Sequence, residues 1–181
     1  QVLAGVFAIA VVLLGRLRGL AALIALGLTV AALLQFVVPA ILVGESPLVV
    51  SVVGASAIAF VVLYLANGVS SMSTVALLGT LGSLLLTALL AWIFFTAARF
   101  SGAGDEEVAY LSVVSGSIDV RGLLLGGAIL GALGALDDMT VTQASAVYEL
   151  RAAAPQLAKR ELFASAMRIG RDHVGSTVNT L

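Results

Sequence analysis

Long apolar runs broken by short polar turns set the layout of this chain. The first run ends at Gly15, before a turn carrying Arg16 and Arg18. A second extends over residues 20–43 and contains Pro39, which near the end of a span is expected to kink the helix rather than stop it. After the turn 44–47 comes a third run, 48–66, then a polar, uncharged loop, 67–73, and a fourth run, 74–98. Trp92, Phe94 and Phe95 lie near the end of that fourth run, where aromatic rings anchor a span at the membrane interface. Runs longer than roughly 18 residues read as membrane-spanning helices.

The second half is more mixed. Residues 99–120 form the longest connection: SGAGDEE brings flexibility and charge, and YLSVVSGSIDV mixes small, polar and β-branched side chains, as in a short surface or re-entrant element. Asp105, Glu106 and Glu107 read there as a solvated external loop. A fifth run begins at Gly122 and meets Asp137 and Asp138, after which helical periodicity continues to Ala154, just before Pro155. A last helical segment starts near Lys159 and mixes Arg, Asp and His into its pattern. The expected fold is an all-α, polytopic transmembrane helical bundle of about five to six spans, with residues 1–181 forming a single integral membrane domain. Residues 1–14 as a helix would reach only about 21 Å against a hydrocarbon core of about 30 Å. The final VGSTVNTL stops without a cap, so the chain is expected to be a fragment of a longer one.

Composition narrows the function classes. Of the 181 residues, 61% are hydrophobic and only 10% charged, against about 25% charged in soluble domains. A net charge of −1 offers no concentrated basic patch, so nucleic acid is not an expected partner. The absence of cysteine removes disulfides, thiol nucleophiles and thiolate-bound metals. With a single histidine a zinc site is not expected, and no GxSxG elbow supports a serine nucleophile. No cofactor is expected, and an enzyme is the least favoured reading. Charge also orients the spans: Arg16, Arg18, Arg151, Lys159, Arg160, Arg168 and Arg171, seven of the nine Lys and Arg, fall on one side, against Arg99 and Arg121 on the other. By the positive-inside rule the Arg16/Arg18 turn and the Arg151 to Arg171 region are cytoplasmic.

Two constellations carry candidate chemistry. Asp137 and Asp138 end an apolar run, and a carboxylate at membrane depth costs roughly 2.5–3.5 kcal/mol even on translocon scales. On a helix, Asp138, Thr142, Ser145 and Glu149 fall four, three and four residues apart and line one face, with Asp137, Thr140 and Gln143 beside it. Such a row of oxygens serves an ion or proton path and suits hard cations over soft metals. The competing reading is a helix that has already left the membrane, its polar face simply solvated. In RIGRDHVGSTVNT, Asp172, Ser176 and Asn179 share one face and His173, Thr177 and Thr180 a neighbouring one. Arg171 and Asp172 are placed to pair with the two aspartates, and His173 to carry a proton, because histidine titrates near neutral pH. The competing reading is an interfacial helix start whose arginines snorkel to headgroups. The glycines at 127 and 131 have the small-xxx-small spacing of close helix packing, and Gly79 and Gly82 read the same way.

The stretch GALGALDDMTVTQASAVYELR followed by ELFASAMRIGRDHVGSTVNTL resembles the signature region of the YibE/F family of bacterial polytopic membrane proteins, in wording close to its actinobacterial members. RLRGLAALIALGL, VVLYLANGVS, TVALLGTLGSLLLTALL and GDEEVAYL resemble the same family, so the likeness covers essentially the whole chain. It implies a multi-pass protein of the bacterial plasma membrane, with an extracytoplasmic segment before Gln1 and further membrane helices after Leu181. It assigns no reaction to any position. The leading expectation is a transporter or permease for an ion or small solute, with the lipid bilayer around it and a second copy or another membrane protein as partner. The alternative is a non-transporting scaffold or signalling subunit whose ion pairs are structural.

Overall fold

A computed structural model describes residues 2–97 and 120–178, helical in all but their short turns. The expected connection 99–119, Asn179 and Thr180 lie outside the described residues. Helix α1, Val2–Ala32, is interrupted only at Arg16 (φ 51°, ψ −128°), so the expected turn at 15–19 is a one-residue break. A π-helical turn, Leu33–Val37, leads into α2, Val38–Leu42. Pro39 explains that turn. Its ring would clash with the carbonyl four residues earlier, and widening the helix there, with the Val38 N–H donating to the Leu33 carbonyl, removes the conflict.

The turn after α2 closes on Gly44 (φ 93°), where the Glu45 N–H reaches the Ala40 carbonyl and the Gly44 N–H the Ile41 carbonyl, both at 3.1 Å. This is the left-handed glycine stop that satisfies the last carbonyls of a helix. Pro47 then opens α3, Pro47–Asn67, at a position where its missing N–H costs nothing. The turn to α4, Ser71–Ala97, is shorter than the expected loop 67–73, because Ser70 caps the new helix by accepting the Ser73 N–H at 3.1 Å. Helix α5, Val120–Ala153, and helix α6, Lys159–Val178, match the pattern closely. In the bend between them the Arg151 guanidinium donates to the Pro155 carbonyl (3.2 Å) and the Leu157 carbonyl (2.9 Å).

Among the described residues four helical stretches are long and apolar enough to cross a membrane: Gly19–Leu42, Pro47–Asn67, Ser71–Ala97 and Gly122–Ala153. The pattern suggested five to six. Residues 2–14 join the same helix as the second run, and α6 carries Lys159, Arg160, Glu161, Arg168, Arg171 and Asp172, too many charges for a span.

Helix α5 is the centre of the bundle and packs against α3, α4 and α6, while α1 packs on α3. Its buried line is Leu125, Ile129 and Leu133, set four apart, against Ala55, Ile58, Ala59 and Leu63 of α3 and Ala76, Leu77, Leu84 and Ala88 of α4. Small residues bring the backbones close, as expected where packing rather than water drives helix association. The closest approach is at Gly126, where a Cβ would lie 2.5 Å from the Ser51 hydroxyl of α3. The expected pair Gly127 and Gly131 instead faces open space, one helical step round from that contact. Large apolar side chains on the outer faces of α3 and α4, among them Phe60, Leu78, Leu86 and Trp92, are exposed, as a lipid-facing surface requires.

Candidate functional site

Depth along the bundle decides what the aspartates are. Ser51 of α3 is level with Gly126 of α5. From Ser51 to the end of α3 at Asn67 is about 24 Å, whereas from Gly126 to Asp137 is about 16 Å, at 1.5 Å per residue. Asp137 therefore lies about 8 Å inside the end of a helix whose whole length, about 32 Å, just crosses the hydrocarbon. Helix α4 places it deeper. Its Thr80 hydroxyl meets the Thr140 hydroxyl of α5 at 2.5 Å, and Thr80 stands about 14 Å in from Ser71, which sets Asp137, three residues earlier on α5, about 18 Å from that end. Beyond Asp137, α5 continues for about 24 Å to Ala153.

Asp137 falls one turn after Leu133, on the buried line of α5, and is half-buried. Its Oδ1 is enclosed and makes no hydrogen bond among the described residues. Thr140 donates to the Asp137 main-chain carbonyl at 3.1 Å. A hydroxyl has one proton, so Thr80, itself fully buried, is the donor in the bond to Thr140. Gly79 sits beside this pair, where a Cβ would be 3.3 Å from the Thr140 methyl, so its expected packing role holds.

Helix α6 returns alongside α5. The Gln143 side-chain amide donates to the Ala166 carbonyl at 2.9 Å. Its oxygen lies over Gly170, where a Cβ would be 2.8 Å away. Farther along, the His173 Nε2 stands 3.7 Å from the Asp138 Oδ2, with the histidine side chain 36% and the aspartate 75% exposed. The contact becomes an ion pair when the imidazole is protonated. Between these two fastenings is a cleft of about 400 Å³, lined by Met139, Thr140 and Gln143 of α5 and by Met167, Gly170, Arg171, His173 and Val174 of α6.

The expected residues thus separate. Asp138 and His173 meet, and Arg171 faces the cleft, exposed, without an ion-pair partner among the described residues. Asp172 and Ser176 are exposed on other faces of α6, and Asn179 lies outside the described residues. On α5, Thr142 and Ser145 are partly buried and Glu149 is exposed. The face that engages its neighbours is the adjacent one, Asp137, Thr140, Gln143 and the buried Ala144. Thr80 and Gly170 were not singled out by sequence, because Ser83 and Thr87 in α4 and Gly175 in α6 offer the same chemistry. Among the described residues no three His, Asp or Glu side chains converge on one point.

No curated protein and no solved structure matches this chain. The model of one family, described as YibE/F-like protein, matches residues 3–181. The residues that build the cleft and the aspartate pair all lie within that match, and the chain is a membrane protein that belongs to the YibE/F-like family.

Proposed function

We propose that this protein is a transporter or permease for an ion or small solute, with its polar path along α5 past Asp137 and the Asp138–His173 contact. One observation carries the reading: a half-buried carboxylate at membrane depth, on the buried line of the central helix and with an enclosed oxygen. Intramembrane carboxylates are costly and mark ion and proton pathways. Thr140, bonded to Thr80 of α4, and Gln143 continue a row of polar groups along the same face toward the α5–α6 bend. The membrane is the bacterial plasma membrane in this proposal, with that bend on the cytoplasmic side.

The test is flux through the full-length protein in proteoliposomes, under imposed gradients of H⁺, Na⁺ or K⁺, for the native chain and for Asp137→Asn and Asp138→Asn. Loss of a gradient-dependent flux in variants that insert normally supports transport. Unchanged flux in both ends the proposal. The His173–Asp138 contact also favours the second reading, a scaffold held by structural ion pairs. Exchanging the two residues separates the readings: recovery of both fold and phenotype supports structural pairing, and recovery of fold without phenotype supports a path.

A further inference from the structure

Arg171 brings a fixed positive charge to the lining of the α5–α6 cleft, and no carboxylate is among the lining residues. Met167, Gly170, Arg171 and Val174 recur at spacings of three, one and three, so one face of α6 forms the wall. Asp172 follows Arg171 in sequence but lies about 100° round the helix, off that wall. Asp137 and Asp138 do not line the cleft either, and Asp138 is set against His173. The wall is almost wholly apolar, and the lining residues with polar groups to bring to it are Arg171, which has no ion-pair partner among the described residues, His173, Thr140 and Gln143. The rest is thioether and aliphatic. Helices α3 and α4 add no formal charge, since their sequences contain no Asp, Glu, Lys or Arg.

Size and shape limit the occupant further. About 400 Å³ lies at the lower end of small-molecule sites, which run from about 300 to 1,000 Å³. That is room for a compact solute and too little for a two-chain lipid. Methionine walls adapt to apolar bodies of differing outline, and a planar guanidinium matches a carboxylate through two parallel hydrogen bonds. Gly170 is part of the wall, and its lack of a side chain lets Gln143 keep its place there.

We infer that the cleft is a binding site for a small organic monocarboxylate, its acid group on Arg171 and its apolar body between Met139, Met167 and Val174. This rests on the transport reading only for its purpose, since binding is measured without flux. The site would be the solute station of the path, with His173 and Asp138 beside it.

The experiment uses the purified full-length protein in detergent, with hexanoate as probe and hexan-1-ol and hexylammonium as controls of equal length. Calorimetric titration and thermal stabilisation are read for the native chain, Arg171→Gln, Arg171→Lys and Val174→Phe. Hexanoate is expected to bind and both controls to fail. Arg171→Gln is expected to weaken binding about tenfold or more, the loss of a charge-assisted contact, with Arg171→Lys between the two. Val174→Phe narrows the cleft without changing its charge and is expected to weaken hexanoate as well. Equal binding of hexylammonium, undiminished binding in both Arg171→Gln and Val174→Phe, or binding of short-chain phosphatidylglycerol in place of hexanoate overturns the inference. Hexanoate binding with no flux would sink the transport proposal alone, and aspartate-dependent flux without hexanoate binding would sink this one alone.

Discussion

Adding one methyl group to α5 at Gly126 should push α3 and α5 apart, and removing one oxygen from α3 should bring them back. At Gly126 a Cβ would lie 2.5 Å from the Ser51 Oγ, but 3.6 Å from the Ser51 Cβ and 3.7 Å from the Pro47 carbonyl. The first distance is a clash and the other two are ordinary contacts. Ser51 is fully buried, so its hydroxyl has little room to rotate away. Gly126→Ala is therefore expected to cost about 1–3 kcal/mol, the usual range for overpacking. For a domain of this size that lowers Tm by roughly 2–12 °C. Ser51→Ala alone should be close to neutral or slightly stabilising, because the Ser51 Oγ makes no hydrogen bond among the described residues. The double variant should melt within about 0.5 kcal/mol of the native protein, because Ser51→Ala removes the atom that clashes and residues in contact couple rather than add. The assay is thermal unfolding of the full-length protein in detergent, followed by circular dichroism for all four members of the cycle. Additive losses, with Ser51→Ala failing to rescue Gly126→Ala, would refute the packing argument.

Three further outcomes follow from the site. Thr80→Val and Thr140→Val should each destabilise, Thr140→Val more, because it strands the fully buried Thr80 donor; the coupling energy in a double-variant melt should be about 0.6 kcal/mol and at most about 1.7. Gly170→Ala should displace the Gln143 side chain and break its bond to the Ala166 carbonyl, speeding hydrogen exchange across α6. Gln143→Ala should do the same, and the combination should be no faster than Gln143→Ala alone. Asp137→Asn should stabilise the fold by on the order of 1 kcal/mol and so raise the apparent Tm by about 2–4 °C, since it removes a half-buried charge that costs more than an amide. A lower Tm would show that the carboxylate is a structural support.

Turns and helix ends were legible because their chemistry is local. Gly44 with Pro47 stops one helix and starts the next, and Pro155 with Lys159 bounds the α5–α6 bend. The inward faces were not legible. In α3 and α4 apolar residues surround the whole helix, and with lipid outside and protein inside equally apolar, no periodicity marks the core. That is why Gly126 and not Gly127 makes the close contact, and why Asp138 headed the expected polar stripe while Asp137 sits on the buried line. Choosing between them needs the phase of α5, which Leu125, Ile129 and Leu133 establish only through their neighbours. The His173–Asp138 contact was within reach of the expected pairing between the two late motifs, but spacing along α6 did not say whether His173 or Asp172 would turn toward α5.

The depth of Asp137 has an electrical consequence. An elementary charge carried across the full membrane potential is worth about 2.3 kcal/mol per 100 mV. With its carboxylate at least about 8 Å inside a core of about 30 Å, a cation arriving from the nearer face crosses a quarter or more of that field, at least about 0.6 kcal/mol per 100 mV. That is RT or more, so a swing of 100 mV changes occupancy at this one side chain at least about threefold. On the transport reading, its place in the helix gives Asp137 a filling that follows membrane voltage as well as concentration.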